Sequence, residues 1–229
     1  MFDDPEHSEK LFKLFDTLTA LSKNPDPETA SRPLDKNRNG FVLGEGGVVL
    51  ILESRKHALD RGVKPLAVLE RALTSVDANP DVPITAADQP NVARTIRRAM
   101  RNQFTGRMDL PDEIVMHGTS TEIGDKIETG AIRESIPDEL IGDTAINAPK
   151  SSTCHLVGGA GISIGEGVDN LVTGRIAPTI HLLEPDEELT HGLDVVTETR
   201  EGANPEVIEI NTLGFGGQNG VVKLRKWHD

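Results

Sequence analysis

Residues 113–135 read EIVMHGTSTEIGDKIETGAIRES, and this stretch decides the fold. The short segment Glu113–Met116 predicts a strand, and Gly124–Ser135 predicts a helix that follows it after a polar turn, His117-Gly-Thr-Ser-Thr. Strand–turn–helix units that alternate along a chain are typical of layered α/β folds with a mostly parallel sheet. The sequence therefore predicts that the polar turn lies at the carboxyl edge of a sheet.

The same alternation extends toward the C-terminus and toward the middle of the chain. Further strands are predicted at Leu66–Val76, Thr144–Ala148, Glu206–Leu213 and Val221–Arg225, and further helices at Asn91–Phe104 and Leu156–Thr173. We expect Asn91 to cap its helix, and the glycine-rich turn Gly214–Gly220 to join the last two strands as a hairpin. Each interior glycine of Leu156–Thr173 lowers helix stability by about 0.5–1 kcal/mol, so packing has to hold that helix.

The N-terminal part of the chain has a different organisation. Apolar residues at helical spacing predict an amphipathic helix at Lys10–Leu21, followed by a polar, proline-containing loop at Ser22–Gly40. The fully apolar, β-branched run Val48–Leu52 predicts a strand that is buried on both faces. A short helix is expected at Ser54–Arg61, with Gly62 at its C-terminal end.

Composition excludes several classes of protein. The 229 residues carry 24 Lys and Arg against 37 Asp and Glu, a net charge of −13, which argues against broad nucleic-acid binding. A single cysteine excludes an intramolecular disulfide framework and a multi-cysteine zinc site, and we expect no metal. No apolar stretch is long enough to cross a bilayer, and the segment MFDDPEHSEK lacks the features of a signal peptide, so we expect a cytoplasmic location.

Three glycine-containing segments carry the candidate functional side chains. His117 and Lys150 each follow a predicted strand, and His155 comes five residues after Lys150, so the fold brings them to one edge of the sheet. The alternative, that both histidines are partly buried structural residues, stays open on the sequence alone. The turn at Gly214–Gly220 departs from the dinucleotide-binding pattern and is followed by no helix, which excludes a nucleotide site there.

Other candidate residues have a simpler structural interpretation. Cys154 precedes His155 directly, and adjacent residues do not face each other, so we expect Cys154 to be structural rather than a nucleophile. Arg94, Arg97, Arg98 and Arg101 form one basic stripe, which is more often a solvated helix face than a docking surface. The loop residues Lys36 and Arg38 are a second basic candidate.

Four segments in order resemble the β-ketoacyl-acyl-carrier-protein synthases, condensing enzymes of the thiolase fold. They are SRPLDKNRNGFVLGEGG at 31–47, HGTSTEIGDKIE at 117–128, KSSTCHLVGGAG at 150–161 and GFGGQNG at 214–220. The resemblance runs from about Leu18 to the C-terminus and implies the C-terminal βαβαβαββ half of a five-layered α/β fold. We therefore expect residues 1–40 to be a remnant of the region between halves, and 41–229 to be the C-terminal thiolase-like domain.

The resemblance also implies a role for each matching residue. His117 and His155 match the two catalytic histidines, Lys150 matches the lysine of the active-site network, and Glu128 matches the acid that supports it. Substrate binding and gating fall to Thr119, Thr121, Phe215 and Gly216. An acyl carrier protein would bring its own phosphopantetheine, so no tightly bound cofactor is expected, and Lys36 with Arg38 would dock that carrier.

The chain departs from the family where the nucleophile is concerned. The family's catalytic cysteine lies in an N-terminal half, whereas the only cysteine here, Cys154, stands where the family usually has glycine. We expect decarboxylative condensation of malonyl-carrier with an acyl thioester, carried out with a cysteine-bearing N-terminal half in a homo- or hetero-oligomer. The alternatives are a non-catalytic scaffold subunit or degenerate fragment, and, more weakly supported, an independent small-molecule-binding module.

Overall fold

The computed structural model describes residues 5–83, 85–102 and 105–228. The helices are α1 Pro5–Thr17, α2 Arg55–Asp60, α3 Gln89–Ala99, α4 Glu122–Ser135, α5 Lys150–Thr153, α6 Ala160–Thr173 and α7 Glu187–Thr190, with 3₁₀ turns at Pro27–Thr29 and Asp138–Asp143. The strands are β1 Leu43–Gly44, β2 Ala67–Val76, β3 Glu113–Val115, β4 Ala145–Asn147, β5 His155–Leu156, β6 Asp194–Val195, β7 Val207–Gly214 and β8 Gln218–Lys226.

A six-stranded mixed sheet has the order β2-β8-β7-β3-β4-β6. Strands β7, β3, β4 and β6 run parallel, and the β7–β8 hairpin and β2 extend the sheet in antiparallel fashion. The series β2-α3-β3-α4-β4-α6-β7-β8 confirms the predicted βαβαβαββ pattern. The short edge strand β6 is an additional strand that the sequence did not predict. A separate parallel pair joins β1 to β5 and so ties the N-terminal loop to His155.

Helices cover both faces of this sheet. On one face, α3 and α4 pack against Ile114, Met116 and Ile146 in the largest apolar core. On the other face, α6 packs on Ile208 and Ile210 of β7. The glycines of α6 do not interrupt it, and a Cβ on Gly167 would lie 3.3 Å from Ile210 and 3.5 Å from Ile208, so this glycine permits close approach to the sheet.

Helix ends differ from the predicted ones for local reasons. The predicted helix at Lys10–Leu21 is shifted toward the N-terminus as α1, which ends at Thr17. Helix α3 begins at Gln89 with Asp88 at the cap position, so Asn91 lies inside the helix, where its amide donates to Asp77 at 2.7 Å. The end predicted for that helix, Phe104, lies outside the described residues.

The prediction of a buried strand at Val48–Leu52 is wrong. Val49 and Ile51 are 89% and 84% exposed, and no described strand pairs with this segment. An apolar run forms a buried strand only where neighbouring strands and a covering layer are available, and the described residues supply neither here. The run therefore leaves a contiguous apolar surface.

The described residues contain no helix that is long and apolar enough to span a membrane.

Glu209 on β7 is buried in the core, and no described residue donates a hydrogen bond to either of its carboxylate oxygens. It lies opposite Lys223 of β8, whose ammonium instead pairs with Asp109. Burial raises the pKa of Glu209 to about 8, and the charge of Lys223 only partly opposes this shift.

We predict that Glu209→Gln flattens the pH dependence of stability. The folded chain holds a proton on Glu209 that the unfolded chain releases near its ordinary pKa of about 4.3. Stability is therefore lost as pH rises toward 8, by up to about 1.4 kcal/mol per pH unit from this group. Thermal melts between pH 5 and 8.5 should show a smaller decline in the Gln variant, with exposed Glu139→Gln as control. Equal slopes in all three chains would contradict the assignment.

Candidate active site

The carboxyl ends of β3 and β4 bring His117 and Lys150 together, as the sequence predicts. His117 follows the last residue of β3 by two positions, and Lys150 follows that of β4 by three and begins α5. Because these strands are adjacent and parallel, both side chains lie at one edge. His155 reaches the same edge through β5, whose backbone pairs with β1 and whose first amide donates to Val42 at 2.7 Å.

The two imidazole rings are perpendicular neighbours. Their centroids lie 5.7 Å apart at an interplanar angle of 87°. The Lys150 ammonium lies 3.3 Å from Nδ1 of His117 and also donates to the carbonyl oxygen of His117. An ammonium is only a donor, so Nδ1 of His117 accepts and the proton of the neutral ring resides on Nε2.

The electrostatics of the site favour neutral histidines. Burial, Lys150 and the neighbouring imidazole hold the pKa of His117 well below its usual range, and burial with Lys150 lowers the pKa of His155 to about 4. Burial also lowers the pKa of Lys150 to about 8, against the charges of Glu128, Asp125 and Glu166. At neutral pH the edge therefore presents two neutral imidazoles beside a cation.

Glu128 acts on the backbone of the turn that carries His117. Its two carboxylate oxygens accept from the amides of His117 and Gly118, each at 2.8 Å, and Nδ2 of Asn211 donates to it at 3.3 Å. Burial raises the pKa of Glu128, whereas these amides and Lys150 lower it. The expected support for the lysine is thus electrostatic, through a carboxylate that fixes the turn.

The two predicted threonines lie together after this turn. The hydroxyls of Thr119 and Thr121 are 2.9 Å apart, and that of Thr121 also accepts from the amide of Gly124 as the N-cap of α4. Between them, Ser120 has φ +65° and donates its amide to the carboxylate of Asp125 at 3.1 Å. Asp125 was not among the predicted site residues. Its position in the first turn of a predicted helix, four residues after a threonine that can cap that helix, could have indicated it.

An aromatic series connects the predicted gate to His155. Phe215, 44% exposed, lies in the β7–β8 turn beside Gly216, which has φ +83°. Its ring centroid is 5.9 Å from Phe15 of α1, which is 5.3 Å from Phe41, which is 4.5 Å from His155. The periodicity of the N-terminal helix predicts that Phe15 lies on its apolar face, but no sequence signal placed Phe15 or Phe41 near His155.

Cys154 has an unusual backbone conformation. Its φ of +60° and ψ of −172° lie in a region that essentially only glycine occupies. Burial raises the pKa of its thiol, so it is protonated at neutral pH. The protonated thiol agrees with the expectation that Cys154 has no nucleophilic role.

The basic candidates are less accessible than expected. Arg38 is only 6% exposed, pairs with Asp186 at 2.7 Å and donates to backbone carbonyls, including that of Glu122. Its guanidinium is used inside the protein, and its expected docking role stays a prediction. Lys36 remains exposed beside it.

The arginine stripe is partly used within the protein as well. Arg97 and Arg101 donate to backbone carbonyls of Glu134 and Gly106. Arg94 and Arg98 are exposed. The arrangement agrees with the simpler interpretation of a solvated helix face.

Two family models match the sequence of this chain. The family model for the beta-ketoacyl synthase C-terminal domain matches residues 66–183, and the model for its N-terminal domain matches residues 6–58. The chain belongs to the beta-ketoacyl synthase family. These are condensing enzymes, and the chain shares their thiolase-like fold.

Individual relatives agree with this assignment. The 3-oxoacyl-[acyl-carrier-protein] synthase 1 of Haemophilus influenzae is 36% identical over 93% of the chain and 51% of its own length. A structure of the ishigamide ketosynthase/chain length factor has a TM-score of 0.84 at 32% identity, covering 96% of this chain and 51% of that one. A type II polyketide synthase acyl-carrier protein in complex with its ketosynthase has a TM-score of 0.85 at 26% identity, covering 95% and 53%. The chain thus spans about half the length of its relatives.

We predict that Cys154→Gly increases the free energy of unfolding. Glycine relieves the positive φ and extended ψ, a conformation that costs a side-chain-bearing residue about 1–3 kcal/mol, while the loss of a half-buried thiol offsets part of the gain. Denaturant titration should show a net gain of about 1 kcal/mol. Cys154→Ala, which keeps the Cβ, is the matched control and should show no such gain. A less stable glycine variant would contradict the strain at this position.

Proposed function

We propose that this chain supplies the histidine–lysine part of a β-ketoacyl-acyl-carrier-protein synthase site. The reaction is the decarboxylative condensation of malonyl-carrier with an acyl thioester. The observation that carries this proposal is the pair of perpendicular, neutral imidazoles, 5.7 Å apart, with Lys150 on Nδ1 of His117. Family membership supports it independently.

In the proposed reaction, the bond between the malonyl α-carbon and its carboxylate breaks. CO₂ leaves, and the electron pair stays with the thioester as an enolate. His117, whose ring proton is on Nε2, and His155 donate hydrogen bonds to the enolate oxygen as its charge develops. The α-carbon then attacks the acyl carbonyl, and the thiolate that carried the acyl group leaves.

The acyl-carrying thiol has to come from outside the 229 residues in this proposal. The only cysteine in the sequence is Cys154, and its thiol is kept protonated by burial. A cysteine-bearing N-terminal half would provide the nucleophile. Support comes from the coverage of about half the length of the 3-oxoacyl-[acyl-carrier-protein] synthases that the chain matches, and from the exposed run Val48–Leu52, which falls within the segment matched by the N-terminal-domain model.

An acyl carrier protein is the proposed substrate-bearing partner, with Thr119 and Thr121 contacting its phosphopantetheine arm and Phe215 with Gly216 forming the gate. A related ketosynthase in complex with its acyl-carrier protein supports the pairing. The proposal places the assembly in the cytoplasm as a homo- or hetero-oligomer.

A non-catalytic subunit is the second candidate. The lone, protonated Cys154 favours it, as does similarity to a structure that contains a chain length factor together with a ketosynthase. In that case the histidine pair would have no effect on turnover of the assembly. The two candidates therefore make opposite predictions for the histidine variants.

We predict that His117→Ala or His155→Ala, in the chain reconstituted with its N-terminal half, lowers malonyl decarboxylation about 10²–10³-fold. Acyl loading of the partner's cysteine should persist, because that step uses no enolate donor. Decarboxylation is measured as released CO₂ and loading by mass spectrometry of the intact protein.

Exposed His191→Ala and Cys154→Ser are the controls and should retain both steps. Unchanged decarboxylation in both histidine variants would favour the non-catalytic subunit. Loss of acyl loading in Cys154→Ser, with the partner's cysteine dispensable, would overturn the split site.

We predict that Lys36→Glu weakens binding of the acyl carrier protein and reduces its salt dependence. Lys36 is exposed, and the chain is acidic overall, so attraction to an acidic carrier has to be local. Binding is measured by titration at low and high salt, with exposed Lys56→Glu on α2 as the matched charge reversal. If both variants behave alike, the carrier docks elsewhere.

A further inference from the structure

A second polar cluster lies beneath α6, between that helix and strands β3 and β4. Nδ2 of Asn170 donates to Oε1 of Glu113 at 2.8 Å, and Nδ2 of Asn147 donates to Oε1 of Glu166 at 2.7 Å. Glu166 and Asn170 are four residues apart on one face of α6, while Glu113 and Asn147 belong to adjacent strands. Two carboxyls and two amides thus occupy positions where apolar side chains would pack the helix on the sheet.

Three oxygens of this cluster are buried without a donor in the described part of the chain. They are Oε2 of Glu113, Oδ1 of Asn147 and Oδ1 of Asn170, and the three residues are at most 1% exposed. Both amide orientations are fixed, because each nitrogen faces a carboxylate oxygen. Each amide oxygen shares its carbon with that nitrogen, so it lies within a few ångströms of a carboxyl group.

The charge of the cluster is only partly compensated from outside, because the ammonium of Lys150 acts on Glu166 but is hydrogen-bonded to His117. Burial and the charge of Glu166 raise the pKa of Glu113 to about 8. Burial raises the pKa of Glu166 to about 7, although Asn147 and Lys150 oppose the shift. Buried acceptors without partners are costly, and a group of them indicates a proton, a water or a cation that satisfies several at once.

We propose that Glu113, Asn147, Glu166 and Asn170 bind one hard divalent cation of the Ca²⁺ or Mg²⁺ class. All available ligand atoms are carboxylate or amide oxygens, which such cations prefer, and two carboxylates match a charge of +2. No group of three His, Cys, Asp or Glu residues suited to a metal occurs among the described residues. The site depends on two amides as much as on two acids, and this departs from the expectation of no metal.

Equilibrium dialysis of the 229-residue chain against CaCl₂ or MgCl₂ alone, followed by elemental analysis, tests the proposal. The measurement belongs at pH 8, where protons compete less for the carboxylates. We expect one ion per chain and a rise in melting temperature with that ion. Binding of neither ion at millimolar concentration would overturn the proposal, and stabilisation by KCl or NaCl alone would overturn its divalent character.

Substitutions distinguish cation binding at this cluster from nonspecific binding to an acidic chain. Glu113→Gln should weaken binding at least about tenfold. Because Glu113 is fully buried and its variant can fail to fold, half-buried Glu166→Gln serves as a second test with the same expected direction. Glu209→Gln is the matched control, since Glu209 is equally buried with two unpartnered oxygens but lies outside the cluster. Equal weakening in all three variants, or in none, would overturn the assignment.

Discussion

The candidate site depends on one buried carboxylate, that of Glu128. Glu128 belongs to α4 and accepts hydrogen bonds from the backbone amides of His117 and Gly118, and so fixes the turn at which β3 ends. A turn at a sheet edge exposes backbone donors that have to be satisfied, and the two oxygens of one carboxyl group accept from both of them. The position of the His117 ring, and of the Lys150 ammonium against it, follows from this backbone anchor.

Lys150 is the second group on which the arrangement of the site depends. Burial lowers the pKa of its ammonium to about 8, and the charges of Glu128, Asp125 and Glu166 oppose this shift, so the group stays charged at neutral pH. Burial, together with that charge, keeps the rings of both histidines neutral. A neutral imidazole can donate one hydrogen bond without carrying a charge of its own, which suits a task in which negative charge appears on a substrate oxygen.

The sequence predicted the parts of the fold whose partners are close in the chain. The units β3–α4 and β7–β8 follow from periodicity, glycine position and short connections, and His117, Lys150 and His155 meet as strand order requires. Val48–Leu52 was mispredicted because burial of a strand is decided by distant neighbours. The burial of Arg38 could not be predicted either, since a sequence does not indicate which of its basic residues pairs with a distant acid such as Asp186.

Helix α6 illustrates the balance between specificity and intrinsic stability. Its glycines weaken the isolated helix, yet Gly167 brings its axis close to Ile208 and Ile210, where larger side chains would separate helix and sheet. Close approach in turn places Asn170 within 2.8 Å of Glu113. The helix is therefore held less by its own propensity than by contacts along one face, which are apolar toward β7 and Val115 and polar toward Glu113 and Asn147. A chain that retains buried polar groups at the second contact accepts a cost in stability that apolar packing would avoid.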